Sequence, residues 1–345
     1  MKITTIGIDL AKNVFQLHGI NAQGKTVLKK QLRRDAMLMF FVNLPPCRVG
    51  MEACGGAHYW ARKLRSFGHD VKLMAPQFVK PYVKTNKNDE ADAEAICEAV
   101  TRPNMRFVPV KTEEQQSVLS LHRARERFVK ERTAQANAIR GLLSEFGIVI
   151  AQGIRQIAVR LPEILEEADN GLPASFRRLI QRLGEHLQEL DRQATELEKE
   201  IQDWHRGNAD SRRLSQVPGI GPITASALVA SIGDAKSFSS GRQLAAWLGL
   251  VPRQHSSGGK PVLLGISKRG DTYLRSLLVH GARAVVRYVK DKSGRTEDWL
   301  HGLLSRRNTN VAIVALANKN VRIVWALLAY DREFEAGYSR AEVNS

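Results

Sequence analysis

The chain has 345 residues, of which 43% are hydrophobic, and a formal net charge of +17 at pH 7. Its length allows two or three domains with substantial cores. The charge favours a polyanionic partner, because each neutralised phosphate releases counterions. The three cysteines, Cys47, Cys54 and Cys97, form no Cys-x-x-Cys pair, which argues against a disulfide framework and a zinc site. We therefore expect a reducing, cytoplasmic setting.

The sequence predicts no membrane segment. The N-terminus, Met1–Thr4, lacks the long apolar core of a signal peptide. The stretch 311–329 is apolar, but polar and charged residues interrupt it over 318–322. This pattern predicts a buried or amphipathic helix and not a membrane span, so we expect no membrane partner.

The first 110 residues predict an α/β layer. Three short strands separated by polar turns come first, and helices and strands alternate after them. This order is typical of a sheet with helices on its faces, where functional residues gather at the carboxyl ends of the strands. The predicted strands are 3–9, 13–20, 25–31, 48–52 and 70–74, and the predicted helices are 35–43, 55–67 and 89 to about 100.

Four acidic side chains could meet at one such end. Asp9 ends the first apolar run and Glu52 ends the fourth strand, while Asp89 and Asp92 share one face of the last helix. Converging carboxylates repel one another unless cations lie between them, and Mg²⁺ takes oxygen ligands. Two such ions about 4 Å apart stabilise the attacking and leaving oxygens of a phosphoryl transfer. The pattern therefore predicts a two-ion nucleic-acid enzyme.

Each acid also has an ordinary structural interpretation. A carboxylate that ends an apolar strand is costly unless it is paired, which favours a functional Asp9. Glu52 could instead open the next helix near its positive end. Asp89 and Asp92 could be first-turn residues that stabilise a helix N-terminus, and two glutamates lie close to them in the sequence.

Residues 111–208 predict a helical hairpin. Two long, charged segments without proline, 113–146 and 175–204, are joined by a predicted turn over 147–174. The pair is either a dimerisation arm or a helical pair inside one domain. The second segment repeats apolar residues at spacings of three, four or seven, as in a coiled-coil seam: Leu179, Leu183, Leu187, Leu190, Leu197 and Ile201.

The third region, 209–345, predicts helices around two loops. In the first loop, Gly219 and Gly221 lie in Val-Pro-Gly-Ile-Gly-Pro-Ile-Thr-Ala. They would let backbone N–H groups approach a phosphate, as in a helix-hairpin-helix, or they are packing glycines of a tight turn. The second loop is rich in glycine and serine, and a Ser-Ser-Gly-Gly run is usually a flexible turn. Its cations are the better candidates for phosphate contacts: Arg253, Lys260, Lys268 and Arg269.

These motifs resemble those of one family, in order and over nearly the whole chain. Gly-Ile-Asp-Leu-Ala-Lys, Met-Glu-Ala-Cys-Gly and Asp-x-x-Asp-Ala are similar to the DEDD domain of certain insertion-sequence transposases, a RuvC-like variant of the ribonuclease H fold. Pro-Gly-Ile-Gly-Pro, Gly-Leu-Val-Pro-(x)4-Ser-Gly-Gly and Ile-Ser-Lys-Arg-Gly-Asp resemble the C-terminal transposase domain of the same family. These are the bridge-RNA-guided DEDD/serine transposases, whose non-coding RNA pairs with donor and target DNA.

The resemblance implies a role for each motif. The four acids would hold Mg²⁺, and a serine in the C-terminal domain would be the nucleophile. Ser257 precedes the glycine of the matching motif and is favoured, while its neighbour Ser256 stays open. The implied protein is an RNA-guided recombinase that excises and inserts its own element at the bacterial nucleoid. Its partners would be donor DNA, target DNA, the bridge RNA and further copies of itself, as a dimer or tetramer through the coiled coil.

Three other functions fit part of the pattern. A RuvC-like structure-specific nuclease, such as a junction resolvase, would use the acids and need no serine loop. A sugar kinase or actin-type ATPase also opens with Gly-Ile-Asp, but a Gly/Ser/Thr-rich phosphate loop usually follows, where this chain has Leu10–Asn13. A non-catalytic nucleic-acid binder explains the charge and leaves the acids without a purpose.

Overall fold

The structure is a computed structural model. It contains many helices and a mixed sheet, and this content confirms the predicted mixed α/β class. Ser257 and Lys260 lie outside the described residues, so their predicted roles stay predictions. The structure describes residues 2–84, 88–256, 262–289 and 294–336.

The chain divides into two compact units, 1–113 and 114–345. The predicted α/β layer lies in the first unit. The predicted helical hairpin and C-terminal region fall together in the second, and their separation at residue 208 stays a prediction.

The first unit is built on a six-stranded sheet with the order β3-β2-β1-β4-β5-β6. β1 pairs antiparallel with β2 and parallel with β4, and β4 pairs parallel with β5. β1 is buried over Thr5–Ile8, because helices cover both faces of the central strands. The strands are Thr5–Leu10 (β1), Val14–Ile20 (β2), Thr26–Arg33 (β3), Arg48–Glu52 (β4), Asp70–Met74 (β5) and Phe107–Val108 (β6).

Successive residues of β1 point to opposite faces of the sheet. Ile6 and Ile8 share an apolar core with helices α1 (Ala36–Val42) and α2 (Ala57–Ser66). The other face is covered by α4 (Asp89–Val100), which packs against β1, β2 and β4. A short helix, α3 (Pro76–Val79), follows β5.

The second unit contains the predicted pair of long helices, α5 (Glu113–Ser144) and α7 (Ala174–Gly207). They run antiparallel, because Arg125 pairs with Glu198 and Arg132 with Asp191.

The predicted turn over 147–174 is wrong in one respect, because it contains a helix, α6 (Ile154–Glu166). Pro162 lies inside this helix, and such a residue normally argues against a helix interior. The apolar side of α6 packs on the ends of α5 and α7. The contact is close, since a Cβ on Gly184 would lie 2.5 Å from a methyl carbon of Leu161.

The predicted leucine seam is used largely inside the chain. Leu187, Leu190 and Ile201 are buried, whereas Leu179 is 43% exposed and its neighbour Ile180 is buried instead. This packing favours the domain-internal interpretation for most of the seam, and self-association stays a prediction.

The remaining helices surround a second large core. A short hairpin of strands β7 (Pro252–Gln254) and β8 (Leu263–Ile266) projects from it. The helices are α8 (Ala209–Leu214), α9 (Pro222–Ile232), α10 (Gly241–Trp247), α11 (Thr272–Arg287), α12 (Arg295–Leu304) and α13 (Thr309–Tyr330).

The apolar stretch predicted as a buried helix forms α13. By length and composition it is the one helix, among the described residues, that could cross a membrane. Its residues Leu316, Val321 and Val324 belong to the core of the second unit, as expected for a buried helix.

Candidate active site

Helix α4 packs directly on the sheet at two glycines. A Cβ on Gly7 would lie 2.3 Å from the carbonyl oxygen of Ala93 and 2.4 Å from the backbone nitrogen of Cys97. A Cβ on Gly50 would lie 2.8 Å from the Cβ of Val100. The two glycines are direct neighbours in the parallel register of β1 and β4. Because glycine permits such close approach, these two positions determine where the helix lies.

The contacts also determine the direction of α4. Cys97 Sγ lies 3.9 Å from the carbonyl oxygen of Thr5, and Ala93, one turn earlier, lies against Gly7. The helix therefore runs antiparallel to β1, and its first turn is directed toward the carboxyl end of that strand. Asp9 is two residues beyond Gly7, so it lies on the face of the sheet that α4 covers.

Glu52 has the same relation to β4. It ends that strand, two residues beyond Gly50, just as Asp9 lies two residues beyond Gly7, the register partner of Gly50. The pKa of the nearby Cys54 thiol is raised, first by partial desolvation and then by the charges of Glu52 and Asp9. Glu52 does not open a helix, because α2 begins only at Ala57. Two of the predicted acids thus lie on adjacent strands at one end of the sheet.

The first turn of α4 carries the other two acids. The helix is capped by Asn88, whose Oδ1 accepts a hydrogen bond from the backbone N–H of Ala91 at 2.7 Å. The capping hydrogen bond is therefore made by Asn88 and not by Asp89 or Asp92. Both aspartates still lie near the positive end of the helix, which stabilises negative charge.

The neighbouring glutamates are engaged in ion pairs. Glu90 pairs with Lys29 at 2.7 Å, and Glu94 pairs with Lys84 at 3.3 Å. Within the described part of the chain, Asp89 and Asp92 form no such pair. These contacts favour the aspartates over the glutamates as members of the acidic end.

The four acids are near one sheet end, but they do not form a closed ligand set. Among the described residues, no three His, Cys, Asp or Glu side chains lie close enough to hold a metal ion together. The donor chemistry fits a hard cation, since all four candidates are carboxylates. Residues 85–87, immediately before α4, are outside the described ranges.

The predicted glycine- and serine-rich loop is carried by the β7–β8 hairpin. The backbone N–H of His255 donates to the carbonyl oxygen of Val262 at 2.9 Å, beyond the paired strands. Ser256 is exposed, and its Oγ accepts a hydrogen bond from Gln254 Nε2 at 2.9 Å. The preference for Ser257 over Ser256 stays a prediction.

Arg275 connects the two segments at the base of this hairpin through hydrogen bonds. It is only 9% exposed, and its guanidinium donates to the carbonyl oxygens of Leu248 at 3.1 Å and Arg269 at 2.8 Å. The two segments touch because Gly249 has a φ of +71°, and a Cβ there would lie 2.2 Å from the Arg269 carbonyl oxygen. One buried side chain therefore joins both sides of the hairpin base.

The predicted phosphate contacts lie around the same base. Arg253, Lys268 and Arg269 are exposed. Lys268 adopts a left-handed backbone conformation with a φ of +55°, which is uncommon for a residue other than glycine. Its N–H donates to the carbonyl oxygen of Gly249 at 3.1 Å, and this bond stabilises the turn that presents the cations.

The two glycines of the predicted helix-hairpin-helix differ in their surroundings. Gly219 has a φ of +88°, and a Cβ there would lie 3.0 Å from the carbonyl oxygen of Gly281 on α11. Gly219 is therefore a packing glycine. Gly221 is exposed and precedes α9, and a Cβ on it would meet no atom within 4 Å. Gly221 has the space that a phosphate contact needs.

Sequence reasoning missed the packing roles of Gly7, Gly50 and Arg275. The glycines had a readable signal, because Gly-x-Asp in β1 and Gly-x-Glu in β4 repeat the same spacing. Arg275 had no local signal, since its carbonyl acceptors are 6 and 27 residues away.

Two family models match the chain. Residues 6–148 match the model DEDD_Tnp_IS110, described as a transposase. Residues 211–298 match the model described as the transposase IS116/IS110/IS902 family. The first match spans the acidic end, and the second spans Gly221 and the serine hairpin.

Similar proteins align over nearly the full length. A probable family 20 transposase of Pseudomonas aeruginosa is 55% identical over 338 residues, covering 98% of this chain and 100% of the relative. The transposase for insertion sequence element IS1111A of Coxiella burnetii is 47% identical and covers 97% and 92%. The chain belongs to the IS110/IS116/IS902 family of transposases. This membership confirms the family resemblance of the motifs, and it makes the chain a DNA-modifying enzyme of insertion sequences.

This transposase is also similar to a more distant relative, and the alignment covers almost the full length of both chains. The pilin gene-inverting protein of Moraxella lacunata is 25% identical over 364 residues, covering 97% of this chain and 98% of the relative.

Proposed function

We propose that this transposase cuts and rejoins DNA by means of a Mg²⁺-binding acidic end and a serine nucleophile. One observation carries the proposal: Asp9 and Glu52 lie near the carboxyl ends of the parallel strands β1 and β4, each two residues beyond a glycine of the register pair Gly7–Gly50, and the first turn of α4 is directed toward them. The sheet order β3-β2-β1-β4-β5 with an antiparallel β2 supports a RuvC-like variant of the ribonuclease H fold for the first unit.

The acids and the serine would share the chemistry. Asp9, Glu52, Asp89 and Asp92 would hold two Mg²⁺ ions, which supply charge neutralisation at the scissile phosphate. A serine hydroxyl is a weak nucleophile at neutral pH and needs activation. The Ser257 oxygen would form a bond to phosphorus while the bond to one bridging oxygen breaks. The serine proton passes to the leaving oxygen, which becomes a strand-end hydroxyl.

The covalent protein–DNA intermediate distinguishes a recombinase from a nuclease that only hydrolyses DNA. In the reverse reaction, the hydroxyl of another strand attacks the phosphoserine and releases the serine, so the phosphodiester is re-formed without external energy. The distant relative is named for gene inversion, and inversion also requires rejoined strands. A junction-resolving nuclease that uses the acids alone would not rejoin them.

Recognition of the DNA would be delegated to RNA. Guidance by a bridge RNA that pairs with donor and target rests on the family resemblance, and the net charge of +17 supports binding of both nucleic acids. Exposed cations at the hairpin base, Arg253, Lys268 and Arg269, and the open turn at Gly221 would contact phosphates, as would Lys260. Self-association through the helical hairpin, as a dimer or tetramer in the bacterial cytoplasm, belongs to the same proposal.

A covalent adduct tests this function. The protein would be incubated with Mg²⁺, the RNA from its flanking non-coding region and DNA that contains the element junction. Products of wild type, Ser257→Ala and Ser256→Ala would then be separated on a denaturing gel. We expect a protein–DNA adduct in wild type and in Ser256→Ala, and none in Ser257→Ala. Metal-dependent cleavage without an adduct in any of the three would favour the nuclease.

A further inference from the structure

A cavity of about 570 Å³ opens on the face of the first unit's sheet opposite α4. Its floor includes the buried ring of Trp60, with the guanidinium of Arg34 5.2 Å from the ring centroid. Tyr59 lies beside it, 38% exposed and edge-on to Trp60 at 5.2 Å. The lining includes Asn13, Arg33, Arg34, Asp35, Tyr59 and Trp60.

The lining is cationic and aromatic. Arg33 and Arg34 are exposed, and Lys63 lies with its Nζ 6.0 Å from the centroid of Tyr59. The one acid of the lining, Asp35, accepts a hydrogen bond from the N–H of Ala36 at the start of α1. An exposed aromatic face among cations is the chemistry that holds an unpaired base and its phosphate.

The cavity lies at the same end of the sheet as the candidate ligands. β1 ends at Leu10 and β2 begins at Val14, which pairs with Arg33 at the end of β3. The N–H of Arg34 donates to the carbonyl oxygen of Asn13 in the connecting turn at 2.9 Å. Asn13 is the fourth residue after Asp9, which limits the span between them to about 14 Å. A DNA strand that runs from the acidic end across this turn would therefore reach the cavity after a few nucleotides.

We propose that this cavity binds an unpaired nucleotide of the cleaved DNA strand, close to the scissile phosphate. This inference rests on the proposed function, which brings the scissile phosphate to the acidic end. A base in a duplex stays stacked on its neighbours, so only an unpaired flank can place a base against Tyr59. Phosphates of the same flank then meet Arg33 and Arg34.

The test compares binding to two junction DNAs of equal length, one fully paired and one with an unpaired flank. Fluorescence anisotropy in EDTA measures binding without cleavage. We expect Tyr59→Ala to weaken binding of the unpaired-flank DNA roughly tenfold, because stacking on one base is worth about that factor. Paired DNA should bind as it does to wild type. Tyr59→Phe keeps the ring and should retain binding.

Tyr330 offers a matched control in the second unit. It is also exposed, lies edge-on to a tryptophan, Trp325, at 5.3 Å, and has a cation, Arg332, over its ring at 5.6 Å. Tyr330→Ala should leave both DNAs unaffected. A second variant, Arg34→Gln, should weaken binding of the unpaired-flank DNA. It should also reduce the slope of log affinity against log salt concentration by about one.

Three results would overturn the inference: no loss of binding in Tyr59→Ala, equal loss on paired and unpaired DNA, or the same loss in Tyr330→Ala. The proposed function has a separate readout. If Asp9→Asn leaves cleavage intact, the acidic site is wrong whatever Tyr59 does. If Asp9→Asn abolishes cleavage and Tyr59→Ala binds normally, only the inference fails.

Discussion

The acidic end and the serine hairpin are held in place in different ways. At the acidic end, the backbone of α4 lies against β1 at Gly7, and its Val100 side chain lies against β4 at Gly50, inside buried structure. The hairpin is anchored at its base by Arg275, while β7 and most of β8 are exposed. The candidate metal ligands thus lie on strands and a helix that are fixed by buried contacts. The described part of the hairpin, 252–256 and 262–266, is instead exposed over most of its length.

The largest effect should come from removing a carboxylate at the rigid end. Asp9→Asn should lower the rate of strand cleavage at least about 10³-fold, since charge stabilisation by a bound metal is worth several kcal/mol. Gel-based cleavage assays over a range of Mg²⁺ concentrations measure this loss. Glu90→Gln is the control, because it removes only an exposed ion pair with Lys29, and exposed pairs of this kind contribute little. Equal activity of Asp9→Asn and Glu90→Gln would refute the metal site.

A methyl group added at the contact between α4 and β1 should disturb the acidic end without changing any carboxylate. Gly7→Ala places its Cβ 2.3 Å from the Ala93 carbonyl oxygen, and such overpacking costs about 3 kcal/mol. We expect a lower melting temperature and slower cleavage together, because the first turn of α4 must move.

The matched substitution is Gly141→Ala in α5, where a Cβ meets no atom within 4 Å. It should stabilise the protein slightly, by about 0.5–1 kcal/mol. Normal stability and activity in Gly7→Ala would mean that α4 does not depend on this contact.

Acid should weaken the second unit through His122. This side chain is fully buried, with Nδ1 2.9 Å from the Tyr273 hydroxyl and Nε2 3.1 Å from Ser226 Oγ. Burial lowers the pKa of His122 to about 4 from its ordinary value near 6.5. Between these pH values, His122 is protonated in the unfolded chain but stays neutral in the folded protein. The free energy of unfolding therefore falls as the pH falls from 6.5 to 4.

The size of the effect follows from that shift, which amounts to about 3 kcal/mol at pH 4. Urea unfolding of wild type and His122→Gln at pH 7 and pH 4.5 measures it. The variant should be less stable at pH 7 and should lose less on acidification. Parallel losses in the two proteins would assign the acid sensitivity to other groups, such as His205, whose pKa burial also lowers.

The smallest effect should come from releasing the hairpin. Arg275→Ala removes the hydrogen-bond donor to the buried carbonyl oxygen of Leu248 and to the partly buried one of Arg269, at a cost of about 1–3 kcal/mol. We expect faster proteolysis within 252–266 and a modest fall in melting temperature. Arg283→Ala is the control, since Arg283 is an exposed residue of the same helix. Unchanged proteolysis of Arg275→Ala would show that the hairpin base is held by backbone contacts.

Much of the first unit was predictable because its signals are local. The bounds of β4, β5 and α4 match the predicted ones, since short apolar runs end in charged or turn residues there and Asn88 caps the helix. The contact of α4 with β1 was not predictable in the same way. It joins Gly7 to Cys97, and no periodicity within either element specifies that meeting.

The helix α6 shows the opposite failure. Its apolar residues Ile157, Leu161 and Ile164 recur at helical spacing, but the turn residues Gly171 and Pro173 later in the segment outweighed that signal. The hairpin strands were missed because β7 has three residues, too few to show an alternation. The candidate ligands and most of the elements that carry them were predicted from the sequence, whereas the contacts that position these elements required the fold.

The helix α6 has a consequence for how this family can vary. It closes a small apolar core at the far end of α5 and α7, separate from the larger core at the other end of the same unit. Between the two cores the long helices meet through side-chain pairs such as Arg132–Asp191. Two whole helical turns added to both helices would keep the same sides facing each other. The length of this arm is thus a property that insertions could change in relatives while both ends keep their packing.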